Sequence, residues 1–306
     1  MKHIPVLLKE CINVLKIKPD GIYVDATFGY GGHSQAILNH LTTGKLIVFD
    51  ADASAIKTAN ELQQHYPNQM HVIFDNYANI KSQLKQLNIE GVDGILVDCG
   101  VSSMQLDEAG RGFSYRHDAR LDMRMNQTQT IDAQWLINQY SYEQLIDILF
   151  KYGEEKFAKN IAREIIKTRA LKPIETTFEL VDIIKKAYPI KALSKQGHPA
   201  KQTFQAIRIA VNDELQSLNQ MLTDGLTLLN SQGVMAIITF HSLEDRMVKQ
   251  AFNDQAKPPK TNKRVPLKDV YLEYTLISKK PILPSQEELD YNPRSASAKL
   301  RAIERK

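Results

Sequence analysis

The chain has 306 residues, of which 43% are hydrophobic and 24% are charged, which suits one large domain or two smaller ones. No stretch approaches the roughly 18 apolar residues that span a bilayer, and the first residues lack the apolar core of a signal peptide. We therefore expect a cytoplasmic protein with no membrane partner. The two cysteines, Cys11 and Cys99, fit a reducing compartment. His241 and Glu244 share one helical face, but such a pair is more often a helix cap than a metal site, and no metal is predicted.

Positive charge is concentrated in two parts of the chain. Residues 107–211 contain 17 Lys and Arg against 13 Asp and Glu, and residues 254–306 contain 12 against 7, whereas the remainder contains 10 against 15. Charge segregated in this way is typical of a protein with one face that meets a polyanion, although solvated helices also carry surplus lysine. Charge alone therefore leaves nucleic-acid binding open.

The first 106 residues alternate short apolar runs with amphipathic segments. The runs are continuously apolar, as in buried parallel strands: Ile22–Asp25, Leu46–Asp50, His71–Phe74 and Ile95–Asp98. Helical patterns lie between them at Ser34–Leu41, Ala53–His65 and Ala78–Leu87. This order predicts an α/β fold with a doubly wound sheet, in which a ligand binds beyond the carboxyl ends of the strands.

The pattern changes to helices alone over residues 107–211. Loop-like segments at 110–112 and 120–125 precede helical periods at Ala133–Gln139, Tyr142–Phe150, Glu155–Thr168 and Thr177–Ala187. The α/β pattern then resumes with a helix over Val211–Leu229, a strand over Gly233–Phe240, a helix over Leu243–Phe252 and a strand over Tyr271–Ile277. We predict a discontinuous domain, 1–106 with 212–306, that carries an inserted helical substrate-recognition domain, 107–211.

A glycine-rich turn follows the first predicted strand. It contains Gly29, Gly31 and Gly32, but Ser34 replaces the third glycine of a dinucleotide fingerprint. Asp25 precedes the glycines, where a carboxylate could meet the ammonium of a methionine moiety, and Asp50 ends the second strand, where an acid could bind ribose hydroxyls. An acid at the first position favours S-adenosylmethionine over a nicotinamide dinucleotide. Either aspartate could instead be a helix cap.

The fourth strand ends in a second polar turn, Asp98-Cys-Gly-Val-Ser-Ser-Met-Gln105. Polar groups at this strand end could face the reactive end of a cofactor and its acceptor. The simpler interpretation is a strand-to-helix turn capped by Ser102 or Ser103.

These segments resemble the RsmH (MraW) family of 16S rRNA cytidine-N4 methyltransferases. The resemblance runs from His3 to Arg305 and rests on many motifs in order. Besides 24–34 and 92–107, the matching segments are Arg111–Ser114, Leu121–Met125, Tyr152–Glu155, His198–Ala200, Phe204–Arg208, Val211–Glu214, Thr239–Arg246 and Ser297–Arg301.

The resemblance implies a class I methyltransferase fold, S-adenosyl-L-methionine as cofactor, and a cytidine in the decoding region of 16S rRNA, within the small ribosomal subunit, as target. Tyr77 stands where the family often has phenylalanine and Cys99 replaces a leucine, and no Asn/Asp-Pro-Pro-Tyr motif follows the fourth strand. The usual account of amine activation therefore cannot be transferred. The cofactor contacts that the resemblance implies are Gly31, Gly32, His33, Asp50, Tyr77, Asp98 and Gln105.

For the reaction we expect Asp98 to orient the target amine, because it ends the strand nearest the expected sulfonium. His241 is a candidate for the pocket wall or a helix cap. Trp135, the only tryptophan, could stack on a base or lie buried in the core. The candidate phosphate contacts are Arg111, Arg116, Arg120, Arg124 and the proline-interrupted basic loop 257–264.

Three other functions compete with this prediction. An NAD-dependent oxidoreductase would share the sheet, but the broken glycine fingerprint argues against it. A non-catalytic RNA-binding protein could keep a vestigial pocket, although every predicted cofactor position is chemically intact. A methyltransferase acting on another nucleic acid, a protein or a small molecule is opposed only by the resemblance and the charge distribution. The sequence leaves open the oligomeric state and any metal that aids RNA binding.

Overall fold

The computed structural model describes residues 4–193, 197–258 and 271–306. Most of the predicted basic loop, from residue 259 to residue 264, lies outside these ranges. The chain divides into two compact units, one formed by residues 1–100 and 215–306 and the other by residues 101–214. The predicted insertion boundaries, 107 and 211, both lie inside the second unit.

The first unit contains a seven-stranded sheet with the order β3-β2-β1-β4-β5-β7-β6. The first five strands in this order, from β3 to β5, run parallel to one another. β7 is antiparallel to its two neighbours, β5 and β6. The predicted α/β fold is thereby confirmed. The strands are β1 (Ile22–Asp25), β2 (Lys45–Asp50), β3 (Met70–Phe74), β4 (Val92–Asp98), β5 (Leu229–Thr239), β6 (Tyr274–Leu276) and β7 (Lys299–Arg305).

Apolar side chains cover both faces of this sheet. Val24, Ile47 and Val97 belong to one buried cluster, while their strand neighbours Tyr23 and Leu96 belong to another. Burial on both faces explains why the strands read as continuous apolar runs. The second of these clusters includes residues of α1 (Leu8–Leu15), α2 (Gly32–Leu38) and α3 (Ala53–Gln63), and the first includes residues of α4 (Ile80–Gln86), α12 (Glu214–Leu228) and α13 (Ser242–Ala256).

Helices build the second unit around a core of its own. Its buried cluster includes Leu136, Leu149, Ile165, Ile184 and Ile207. Within the described part of this unit the only β pairing is an isolated bridge between Arg120 and Thr176. The helices are α5 (Ser103–Asp107), α6 (Ala133–Gln139), α7 (Tyr142–Gly153), α8 (Ala158–Arg169), α9 (Thr177–Ala187), α10 (Ile190–Leu193) and α11 (Ala200–Asn212).

The single helix predicted over Val211–Leu229 is wrong at its start. α11 ends at Asn212, and Asp213 adopts a left-handed conformation with φ 48° before α12 begins. The sequence pattern missed this break because apolar residues continue across it. It also missed α1, α11, β7 and α14 (Gln286–Tyr291). In the ranges that the structure describes, no helix is long and apolar enough to cross a membrane.

Candidate active site

Three carboxylates end three strands at one edge of the sheet in the first unit. Asp25 ends β1, Asp50 ends β2 and Asp98 ends β4. β1 lies between β2 and β4 and is parallel to both, so the three strand ends meet at the same edge. This is the edge at which open α/β sheets bind ligands. The cluster of acids follows from the fold, because each aspartate is the last residue of its strand.

The glycine turn after β1 brings backbone close to this edge. Gly31 is the N-cap of α2 and has a φ of +77°, and a Cβ at Gly31 would lie 2.5 Å from Cζ of Phe28. Only glycine fits there without strain. The amide of Gly29 donates to Oδ2 of Asp50 at 2.9 Å, and the amide of Asp52 donates to Oδ1 of Asp50 at 2.9 Å. Burial raises the pKa of Asp50 to about 6, despite these hydrogen bonds, which lower it.

Asp25 is fixed from two sides beneath the glycine turn. It is 1% exposed, and its carboxylate accepts hydrogen bonds from Oγ of Ser34 at 2.6 Å and from the amide of Thr27 at 3.2 Å. Burial raises the pKa of Asp25 to about 7. The residue that replaces the third glycine of the fingerprint therefore has a function of its own, since the Ser34 hydroxyl orients this carboxylate.

Asp98 differs from the other two because one of its oxygens is unused. Its backbone amide donates to Oγ1 of Thr27 at 2.7 Å, but Oδ1 is sealed from solvent and has no hydrogen-bond partner among the described residues. Burial raises its pKa to about 8, with Asp25 and Glu244 adding to the effect as neighbouring negative charges. A buried acceptor without a partner is costly, so this oxygen is a candidate contact for a ligand.

His241 caps a helix. It is the N-cap of α13, and its Nδ1 accepts from the amide of Glu244 at 3.4 Å. Its Nε2 lies 3.0 Å from Oε1 of Glu244. Oε2 of Glu244 in turn accepts from the amides of Phe240, at 2.8 Å, and His241, at 3.2 Å. The structure therefore shows the helix-cap alternative through Nδ1, whereas Nε2 is buried without a hydrogen-bond partner among the described residues.

Two other predicted cofactor contacts lie in the first unit. The ring of His33 is buried, with Nε2 3.0 Å from the carbonyl oxygen of Val6. A contact between His33 and a ligand at the strand ends would therefore involve its backbone. Tyr77 begins a short 3₁₀ helix after β3 and packs partly against the apolar cluster that includes α4.

The remaining predicted cofactor contact, Gln105, lies in the second unit. Its side-chain oxygen accepts from the amide of Ser102 at 3.0 Å, and its own amide donates to Oγ of Ser102 at 3.3 Å. This reciprocal pair is a capping box, and Ser102 is the N-cap of α5. The structure thus shows the capping role that the sequence suggested for Ser102.

Two predicted phosphate contacts bind their own chain. Arg111 is 3% exposed, and its Nη2 donates to the carbonyl oxygens of Arg124 and Met125. The guanidinium of Arg124 pairs with Asp122, at 2.6 Å from Nη2 to Oδ2, and donates to the carbonyl oxygen of Gln129. Both arginines therefore hold the segment that leads into α6.

Two other candidates, Arg120 and Trp135, face solvent in the second unit. Arg120 pairs with Asp122 and Asp132. The alternative of a buried tryptophan is wrong, because Trp135 is 44% exposed. Its ring packs edge-on against Tyr140 with centroids 6.2 Å apart.

Sequence reasoning missed two polar groups that fix the acids, Thr27 and Ser34. Thr27 lies in the glycine turn and Ser34 in the first turn of α2, and the available signal was that both are polar residues shortly after the strand-end Asp25. Nothing in the linear pattern indicated that Thr27 would reach across to β4.

The full length of the chain matches the family model described as the MraW methylase family, over residues 1–306. It is similar to the ribosomal RNA small subunit methyltransferase H of Exiguobacterium sibiricum, with 51% identity over 99% of this chain and 98% of that protein. The protein of the same name from Clostridium botulinum is 54% identical over 98% of this chain and 97% of its own length. The solved structure of an rRNA methylase from Streptococcus thermophilus aligns with 100% of this chain and 98% of its own, at 12% identity and a TM-score of 0.41.

Proposed function

We propose that this chain, which belongs to the MraW methylase family, uses S-adenosyl-L-methionine to methylate the N4 amine of a cytidine in the decoding region of 16S rRNA. The substrate is the small ribosomal subunit, and the site of action is therefore the cytoplasm. Two relatives named ribosomal RNA small subunit methyltransferase H, each more than 50% identical over nearly the whole chain, support the rRNA substrate. The observation that carries the proposal is the row of strand-end carboxylates, in which one buried oxygen of Asp98 has no partner among the described residues.

The residues at this edge fit such a cofactor. S-adenosylmethionine carries an ammonium and a sulfonium, both positive, and two ribose hydroxyls. Asp25 would hold the ammonium, Asp50 the ribose hydroxyls, and Gly31 and Gly32 would let the ligand approach the backbone. When bound, the cofactor supplies a methyl group made electrophilic by the sulfonium. Tyr77, the backbone of His33, and Gln105 remain predicted contacts on the strength of the resemblance.

We assign Asp98 the role of orienting the acceptor amine. The lone pair of a cytosine N4 amine is delocalised into the ring, so the amine needs accurate positioning and an acceptor for its proton. Oδ1 of Asp98 is an unused acceptor, and burial, which raises the pKa of this carboxyl, makes it a stronger base than an exposed aspartate for the proton that the amine loses. His241 is not the base in this scheme, because its Nδ1 accepts from the amide of Glu244 and the proton of the neutral ring is therefore on Nε2.

For the RNA side we propose that the second unit recognises the substrate. The exposed indole of Trp135 is available to stack on an unpaired base, an interaction worth about 1–3 kcal/mol. Arg111 and Arg124 would contribute indirectly, by holding the segment before α6 in place. A paired target base would have to be turned out of its helix before methylation.

The proposal is tested by methyl transfer from labelled S-adenosylmethionine to small subunits that lack the modification, with protein-free rRNA and DNA as parallel substrates. We expect label on an N4-methylcytidine of 16S rRNA, and its loss in Asp50→Ala and Asp98→Ala variants. Asp93→Asn, in the same strand as Asp98, is a control that should retain activity. Absence of label from all three substrates, although the cofactor binds, would contradict the proposed function.

A further inference from the structure

A stacked aromatic pair on the second unit lies beside exposed cations. The rings of Tyr115 and His198 are nearly parallel, with centroids 4.3 Å apart and 7° between their planes. Tyr115 also packs edge-on against Phe204 of α11, at 5.7 Å, and Phe204 is only 3% exposed. The pair is therefore anchored to the core of this unit.

His198 presents an N–H donor at this place. Its Nδ1 accepts a hydrogen bond from the amide of Ala200 at 3.2 Å, so the proton of the neutral ring is on Nε2. In residues 4–193, 197–258 and 271–306, no group accepts a hydrogen bond from that Nε2. The ring is therefore held through Nδ1, and its N–H donor is not used within the described residues.

Two exposed cations, Lys185 and Arg116, act electrostatically on His198. Lys185 lies in the last turn of α9 and Arg116 directly follows Tyr115. After partial burial, these two are the groups that lower the pKa of His198, and no carboxylate is among them. Lys185 pairs with Asp182 at 3.7 Å, and both side chains are at least half exposed. Such an exposed ion pair contributes little to the stability of the fold. An anion bound next to His198 would be attracted by both cations.

We propose that Tyr115, Arg116, Lys185 and His198, the Tyr115–His198 surface, bind a phosphodiester of the substrate RNA. Arg116 and Lys185 supply the charge and His198 supplies a neutral N–H donor. Phosphate contacts fix the position of an RNA without reading its sequence, so this surface would position the substrate. The inference rests on the proposed function for the identity of the RNA. None of these residues is one of the strand-end carboxylates.

The chain offers closely matched controls for the test. Lys167 is an exposed lysine of the same unit that pairs with Glu164 at 3.8 Å with the same i,i+3 spacing as Lys185 and Asp182. Arg163 is an exposed arginine on the same helix as Lys167. Lys185→Gln against Lys167→Gln, and Arg116→Gln against Arg163→Gln, remove equal charge from different places. His198→Phe keeps a ring to stack on Tyr115 but removes the donor.

The experiment measures binding of these full-length variants to protein-free 16S rRNA and, in parallel, to whole small subunits, without cofactor, over a series of salt concentrations. Thermal unfolding first establishes that each variant is folded. We expect Arg116→Gln, Lys185→Gln and His198→Phe to bind about 3–10-fold more weakly at moderate salt. The slope of log affinity against log salt should fall by about 0.7–0.9 for each cation removed, and the two controls should stay within twofold of the parent.

Three outcomes would overturn the inference. If Lys167→Gln and Arg163→Gln weaken binding as much as their counterparts, the RNA senses net charge and not this surface. If no variant weakens binding, the surface has no contact with RNA. If binding falls for whole small subunits but not for protein-free rRNA, the surface contacts a protein. Methyl transfer by the parent chain is measured separately, so failure of the proposed function and failure of this inference are distinguishable.

Discussion

Replacing Asp98 by asparagine should stabilise the ligand-free protein at neutral and alkaline pH while abolishing methyl transfer. In the folded state the pKa of Asp98 is raised from 3.8 to about 8 by burial and by its neighbours Asp25 and Glu244. Below pH 4 the carboxyl is protonated in both the folded and the unfolded chain, and its ionisation costs nothing. Above pH 4 the Asp98 carboxyl loses its proton in the unfolded chain before it does so in the folded chain. The stability of the wild type therefore falls as the pH rises towards 8.

The size of the effect follows from this shift. One pKa unit corresponds to about 1.4 kcal/mol. A shift of about four units therefore sets an upper limit of roughly 5 kcal/mol on the free energy of unfolding that ionisation of Asp98 removes. Because relaxation and water reduce such costs, we expect the variant to be more stable by about 1–3 kcal/mol at pH 8 and by almost nothing at pH 4. In a unit of this size, 1 kcal/mol raises the Tm by about 2–4 °C.

The assay is urea or thermal unfolding without ligand, from pH 4 to pH 9. Asp93→Asn is the matched control on the same strand. Asp93 pairs with Lys18 at 3.0 Å and accepts from the amide of Ile22 at 3.0 Å, so its loss should leave stability unchanged or lower it. Equal stability of wild type and Asp98→Asn across the pH range would refute the reasoning. So would a variant whose stability, relative to the wild type at the same pH, falls as the pH rises.

The same geometry predicts three further results. Binding of S-adenosylmethionine should release protons at pH 7, because a cationic ligand favours the ionised forms of Asp25 and Asp98. Calorimetry in buffers of different ionisation enthalpy measures the number of protons released. That number should be smaller for Asp98→Asn. Glu244→Gln preserves the capping arrangement but removes a negative charge near Asp98, so the acidic limb of the single-turnover pH profile should move to lower pH; an unmoved limb would show that Glu244 does not influence the base. Because Trp135 is the only tryptophan and is exposed, RNA binding should quench the intrinsic fluorescence of the protein. If a base stacks on Trp135, Trp135→Leu should weaken RNA binding about 5–100-fold. Quenching in the wild type together with unchanged affinity in Trp135→Leu would contradict stacking.

The sequence predicted the parallel core of the sheet because local patterns are sufficient for it. Residues 46–49, for example, are all apolar, and this pattern results directly from burial on both faces. The strand β7 was missed for the opposite reason. Lys299–Arg305 alternates charged and apolar residues, and it becomes a strand because β5 and β6 supply hydrogen-bond partners from distant parts of the chain.

The candidate site shows the same division. That Asp25, Asp50 and Asp98 would meet could be inferred from the sequence, since each follows a buried strand and parallel strands end at one edge. The sequence could not show which of the three carboxylates keeps an unused oxygen. Ser34 satisfies Asp25 and the amide of Gly29 satisfies Asp50, whereas Oδ1 of Asp98 is left without a partner among the described residues.

By itself, then, the sequence determined the order of strands and helices in the parallel core, the acids at the strand ends, and the family. Only the tertiary structure decided that His241 is a cap, that Trp135 faces solvent, that Arg111 is buried, and that His198 stacks on Tyr115 beside two cations. The physical reason is that periodicity records whether a residue faces the core. The hydrogen bonds and charges that set the chemistry of a side chain come from residues far away in the chain, and these are brought together only by folding.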